Sequence, residues 1–324
     1  MSLPRWSALA AFALIALLVG LVSGAIPVGF SDLPGALTGG SSPSATILRN
    51  LRLPRVLMGF LVGGSLAVAG AVLQAMIRNP LADPYLLGIS GGAGLAAVLV
   101  IALGHAGGWS LTAAAFVGAL GAMATVYRVS LIDGRRLDPQ VLLLSGVVVS
   151  AFATALVAAI LSLAPADTVR SAYLWTLGGL SGASWPALAV VAVYAIPALG
   201  VIGYQARWID LLALGEEQAR YLGGDPDRVR RVAYVATGLL TAASVAACGM
   251  IGFVGLVVPH AIRRLWGPLH RALLPAAFMV GGGVLVLADA LARSVAPPLE
   301  LPVGVVTALV GVPVFVTLLR RTAR

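Results

Sequence analysis

The chain has no lysine: all 21 of its basic residues are arginine. A glycine-rich phosphate loop closed by a lysine is therefore excluded, and with it a familiar way of holding a nucleoside triphosphate. Cysteine occurs once, at Cys248 inside an apolar run. That rules out an intramolecular disulfide and a thiolate metal cluster, and leaves a small buried hydrophobe. There are three histidines and no His–Glu pair at helical spacing, so no zinc site is expected. No nucleophile–base set stands out, and catalytic residues, a resident metal and a bound cofactor are all unexpected. Charged residues make up 10% of the chain, against about 25% in soluble domains. The net charge of +9 could suggest nucleic acid. The arginines, however, are scattered between apolar runs and form no basic face with aromatic platforms, so nucleic acid is not an expected partner.

What is abundant is apolar sequence, 60% of the chain, and the bilayer is its natural solvent. Runs near the roughly 20 residues that a spanning helix needs lie at 6–27, 55–77, 85–104, 109–128, 139–163, 186–204, 229–249, 272–294 and 303–319. The first imitates a signal peptide, but its run from Trp6 to Ile26 exceeds the roughly 7–15 residues of a signal core. With the N-terminus inside, Arg78, Arg128, Arg135, Arg136, Arg207, Arg220, Arg228, Arg230 and Arg231 fall inside. Only Arg49, Arg52, Arg55 and Arg170 fall outside up to that point, as the positive-inside rule requires. At "CGMIGFVGLVVPHAIRR" fourteen residues separate Cys248 from Arg263. At about 1.5 Å per residue they cannot cross a ~30 Å core. A turn sunk below the outer surface, then a short helix, resolves this. The count becomes ten spans in one domain, 1–324, with both ends inside.

Two polar stretches break the pattern. Residues 165–185 read as a short helix lying outside. Residues 205–228 form the longest inner stretch, with apolar teeth at Leu211, Leu212, Leu214, Tyr221 and Leu222. Gly215 breaks this stretch, Gly223–Gly224 stops it, and Asp225 caps the next span with Pro226 at its first position. Two short helices forming a docking surface are expected there. Within the membrane, Asp289 and Arg293 are four apart and can pair, Gln74 can bond a neighbouring helix, and His260 is read as packing. Gly59/Gly63, Gly88/Gly92 and Gly178/Gly182 have the spacing of close helix contacts. No buried carboxylate ladder suggests proton coupling, so a partner must supply the energy for any pumping.

The segments "RLPRVLMGFLVGGSLAVAGAVLQAMIRNPLADPYLLGISGGAG" (52–94), "LALGEEQARYLG" (212–223), "GFVGLVVPHAIRRLWGPLHRALLPAAF" (252–278), "LADALAR" (287–293) and "ELPVGVVTALVGVPVFVTLL" (300–319) together resemble the iron-complex, haem and cobalamin permease family. These are the FecCD-type membrane subunits of type II ABC importers. The resemblance implies an all-α integral membrane fold of ten helices per subunit with short cytoplasmic coupling helices. It implies a homodimer with the path between its copies, two ATP-hydrolysing subunits inside and a periplasmic substrate-binding protein outside. The seat would be a bacterial inner membrane, multi-pass, with both termini cytoplasmic. ATP would be used by the partner, so the chain itself is no enzyme. Asn79 and Leu81 match an inner gate. A second gate matches Asp138, Pro139 and Gln140, where the family's small hydroxyl residues are replaced. Arg52, Arg55 and Arg293 match positions that receive carboxylates of the binding protein. Leu211, Leu212, Leu214, Gly215, Glu216, Glu217, Ala219, Leu222 and Gly223 fall in the ATPase-coupling segment. Haem is the favoured cargo on the likeness of "LGEEQARYLG" and "DRVRR", with ferric siderophores or cobalamin as alternatives and a secondary transporter as the remote one.

Overall fold

The computed structural model describes residues 3–24, 26, 29, 34–35, 40, 42–132, 136–297 and 299–320. Arg135, one of the arginines expected inside, lies outside the described residues. Among them the chain is helical almost throughout. The helices in chain order are α1 (Leu3–Val22), α2 (Pro43–Ile77), α3 (Ile89–Ala102), α4 (Ser110–Val129), α5 (Pro139–Ser162), α6 (Ala166–Thr176), α7 (Trp185–Tyr204), α8 (Ala206–Leu214), α9 (Glu216–Tyr221), α10 (Pro226–Cys248), α11 (Val254–Trp266), α12 (His270–Ser294) and α13 (Val303–Arg320). A two-residue hairpin pairs Leu131 with Leu137 and Ile132 with Arg136.

Seven of these helices are long and apolar enough to cross a membrane. The shorter α3 and α13 are apolar as well, and α11 completes the ten helices of the expected architecture. The second span is longer than expected: α2 runs from Pro43, with a π turn over Leu48–Arg52. α2 is the axis of the bundle. It is apolar on every side and buried over most of its length, as a helix surrounded by other helices must be. Its neighbours are α12, α10, α11, α7, α8 and α1.

Small residues set the helix separations. A Cβ added at Gly63 would fall 2.4 Å from the Gly281 carbonyl, and one at Gly92 would fall 2.4 Å from that of Gly118. These backbones touch, so α2–α12 and α3–α4 approach more closely than any side chain allows. The Gly178/Gly182 expectation is corrected. Both lie in the loop after α6, and Gly182 has nothing within 4 Å of its Cβ position. Helical spacing carries no meaning once the segment is not a helix.

Antiparallel packing gives two faces. An arginine-rich face carries the 78–88 turn, the hairpin and α8–α9. The opposite face carries the end of α1, the start of α2, α6 and the α12–α13 loop. The break after α10 occurs where expected: Gly249 and Phe253 both have positive φ, 68° and 69°, and α11 follows with thirteen residues. At about 1.5 Å per residue α11 is ~20 Å long, too short to span alone.

Candidate functional site

The 78–88 segment does not simply turn round in solvent. Arg78 ends α2 in the left-handed region at φ 54°. The Asn79 side chain then accepts the Leu81 amide at 2.9 Å, and Asp83 accepts the Tyr85 amide at 2.8 Å. These two local turns drive the chain back into the bundle, and Pro84–Leu87 forms one 3-10 turn before α3. The Tyr85 hydroxyl accepts the Ile251 amide at 2.7 Å and donates to the Ile251 carbonyl at 2.9 Å. One side chain thus satisfies both backbone groups of a residue in the break between α10 and α11. Irregular backbone at membrane depth needs such a partner. Gln74 braces the same region. It donates to the Leu256 carbonyl at 3.1 Å and accepts from Arg263 at 2.8 Å. Leu81 remains 44% exposed at the tip.

The second expected gate stands beside the first. The Asp138 carboxylate accepts the Gln140 and Val141 amides at 2.8 and 2.9 Å, and Pro139 takes the first position of α5. Asp138 is therefore a strong cap of α5. Gln140 is exposed, whereas Leu137 is fully buried. A Cβ at Gly146 of α5 would fall 1.9 Å from the Leu86 carbonyl. The helix of the second segment rests directly on the 3-10 turn of the first.

α8 and α9 form the expected pair, broken at Gly215 with φ 125°. Asp225 caps α10 as expected, accepting the Asp227 and Arg228 amides at 3.1 Å. Their residues divide in two. Leu214, Tyr221 and Leu222 are 63%, 83% and 59% exposed and make an apolar patch. Glu217 and Gly223 are exposed as well. Leu212 and Ala219 are buried, and Leu211 and Glu216 half-buried. The expectation that Leu212 and Ala219 present themselves outward is corrected, because a short amphipathic helix turns one face to its own bundle. Asp210 fixes that inner face. It accepts both the backbone amide of His270 (2.9 Å) and its ring nitrogen Nδ1 (2.6 Å), joining α8 to the start of α12.

On the opposite face Arg52, Arg55 and Arg293 gather as expected, but not as a free surface. Arg52 donates to the carbonyls of Leu21 and Val22, each at 2.7 Å, and to that of Ile26. Arg293 donates to those of Gly20 and Ser23 at 3.0 and 2.6 Å. The carbonyls at the end of α1, which have no partner within the helix, are thus capped by two guanidinium groups. Both arginines are buried, which corrects their reading as outward-facing docking residues. Asp289 sits between Arg293 at 2.9 Å and Arg55 at 2.8 Å. Arg55 also reaches Glu300 at 2.9 Å, and Glu300 is 42% exposed. His260 is buried, and among the described residues its Nε2 has no hydrogen-bond partner. No group of metal-ligating residues occurs among the described residues.

Several of these residues had no distinguishing signal in the sequence. Tyr85 read as the first residue of a span, Arg230 as one of several inner arginines, and Asp210, His270 and Glu300 as ordinary polar positions. A cavity of about 640 Å³ lined by Trp109, Trp175, Tyr194 and Cys248 touches neither gate segment.

The ten helices of the expected architecture, re-entrant backbone held by side chains at membrane depth and paired short helices on the arginine-rich face define a multi-pass membrane transport subunit. The chain belongs to the FecCD transport family, whose profile matches residues 12–321. It is 41% identical over 306 residues to the cobalamin import system permease protein BtuC of Halobacterium salinarum, covering 91% of this chain and 82% of that protein. The hemin transport system permease protein HmuU of Yersinia pestis is 40% identical over 279 residues, 84% of this chain and 82% of its own. The Fe(3+)-citrate import system permease protein YfmD of Bacillus subtilis is 39% identical over 280 residues, 86% and 83% respectively. Among solved structures, a metal-chelate type ABC transporter in an inward-facing conformation superposes with a TM-score of 0.88 at 29% identity. The match covers 98% of this chain and 99% of that one.

Proposed function

We propose that this chain is the permease subunit of an ATP-driven importer that carries a metal chelate across a bacterial inner membrane. It works as a homodimer with two ATPase subunits and a substrate-binding protein. One observation carries the reading. In a FecCD-family chain, the two gate segments are packed together above a pair of short helices that expose Leu214, Tyr221 and Leu222. That patch fits an apolar cleft on a partner that hydrolyses ATP. The arginine-rich face is cytoplasmic by the positive-inside rule, which puts both termini inside.

On the other side the accessible members of the charged cluster are Arg55 and Glu300, so a binding protein would engage that rim, with Arg52 and Arg293 fixing the backbone behind it. The path runs between two copies, gated by Leu81 and Asn79 beside the Asp138–Gln140 segment. The haem preference gains no support from identity. The haem, cobalamin and ferric citrate relatives stand at 40%, 41% and 39%, and cargo choice belongs to the binding protein. The test is reconstitution with the ATPase and binding protein, with uptake of labelled hemin, cobalamin and ferric citrate measured in turn. ATP-dependent accumulation of one chelate supports the reading; accumulation of none, or uptake driven by an ion gradient without ATP, overturns it.

A further inference from the structure

Arg230 lies in the first turns of α10 and is 3% exposed, an unusual place for a guanidinium in a chain that is 10% charged. Its fork is divided between two other elements. Nη1 donates to the Leu137 carbonyl at 2.8 Å, and Nη2 donates to Glu216 at 2.5 Å. Leu137 ends the hairpin and directly precedes Asp138, the cap of α5. Glu216 is the first residue of α9, the second of the paired short helices. The same junction meets the other gate segment: Arg78 Nη1 is 3.6 Å from where a Cβ on Gly215 would sit. The break between α8 and α9 therefore lies beside Arg78 of the first segment, and Glu216 reaches the second segment only through the hydrogen bonds of Arg230.

We propose that Arg230 is the positioning residue that transmits movement of α9 to the second gate segment. The inference rests on the importer reading above. Arginine suits this role because its rigid planar fork holds two acceptors at once, whereas a lysine ammonium on a flexible stem does not fix both. The fork is anchored in α10, one of the long helices of the bundle, while its two acceptors lie on short pieces of chain. α9 has six residues and is joined to α8 through Gly215. The hairpin strands have two residues each. A displacement of α9 would therefore pull on the hairpin through Arg230 while leaving the bundle unmoved.

The test uses the whole chain purified with its ATPase subunit and reconstituted in vesicles. A nitroxide is attached at Arg136→Cys in a Cys248→Ser background. Wild type is compared with Arg230→Lys and Arg230→Gln. MgATP is expected to change label mobility in wild type. In both variants the ATPase subunit should stay bound and active, while the ATP-dependent change falls about tenfold or more, the scale of one lost hydrogen bond to a charged group. A purely structural tie would lower thermal stability and leave the ATP-dependent change intact; that result overturns the proposal. So does loss of the ATPase subunit by either variant, which would make Arg230 part of the docking surface. If Arg230→Lys does not fold, Arg230→Gln decides alone, because it takes the buried charge out with the fork and leaves Glu216, 41% exposed, in contact with water. A wild-type chain that binds no ATPase, or ignores MgATP, defeats the importer reading itself, and that is seen without any variant.

Discussion

Asp289 shows how charge is carried inside this bundle. Its side chain is 2% exposed and lies between two guanidinium groups, so neutralising it leaves Arg55 and Arg293 facing each other with one acid, Glu300, at the rim. Breaking a buried pair by removing one partner costs about 3–5 kcal/mol, whereas a solvent-exposed pair contributes no more than about 1 kcal/mol. Asp289→Ala is therefore expected to lower the thermal midpoint in detergent sharply, and Glu300→Gln by little. Equal effects would mean that the cluster is solvated. His260 invites the opposite change. Its Nε2 is buried without a partner among the described residues, and such a group carries a desolvation penalty of about 1–3 kcal/mol. His260→Leu should leave the thermal midpoint unchanged or raised and leave ATP-driven uptake intact. Loss of uptake in a stable, ATPase-active variant would show that the ring touches the cargo.

At the scale of elements, α8 and α9 divide their leucines between two partners. Leu214 is 63% exposed and Leu212 3%, although only one residue separates them. Burying a leucine contributes roughly 1.5–3 kcal/mol, in one case to the complex and in the other to the fold. Leu214→Asp should release the ATPase subunit while the chain keeps its thermal midpoint. Leu212→Asp should lower the midpoint itself. Pull-down and thermal unfolding of both variants check this, and the reverse pattern would sink the assignment of faces. The helix contacts are equally specific. At Gly92 a larger side chain would meet the Gly118 backbone, and overpacking of this kind costs about 1–3 kcal/mol.

For the whole molecule, the proposed function would run its path along α5. One side of it packs on α3 and on the 3-10 turn, leaving Leu144, Val147, Val148 and Phe152 between 52% and 66% exposed. On the proposed reading a path between two copies would be lined by the helices that begin at the gate segments, and α5 begins at Asp138. Val148→Cys in a Cys248→Ser background is therefore expected to form a disulfide between copies under mild oxidation in the membrane. Val193→Cys on α7, equally exposed at 67%, serves as the lipid-facing control. Cross-linking at Val193 and not at Val148 would move the dimer interface away from the gates.

Hydropathy, arginine bias and local turn chemistry by themselves determined the ten passes, the break after Cys248, the paired short helices and the cap of α10 at Asp225. These follow from local rules, because apolar length, backbone conformation and charge act on consecutive residues. The Asp289–Arg293 pair was legible for the same reason, four residues being one helical turn. Long ordered blocks of likeness supplied the family and with it the expectation of two gate segments. Tertiary structure alone decided which residues those blocks bring together. Tyr85 meets Ile251 across 166 positions, Asp210 meets His270 across 60 and Arg230 meets Leu137 across 93. It also withdrew Arg52 and Arg293 from the surface, since the carbonyls they cap belong to α1 and lie some 30 and 270 positions away. An arginine is written the same way whether its fork faces water or a helix end. Only the packing of distant helices determines which.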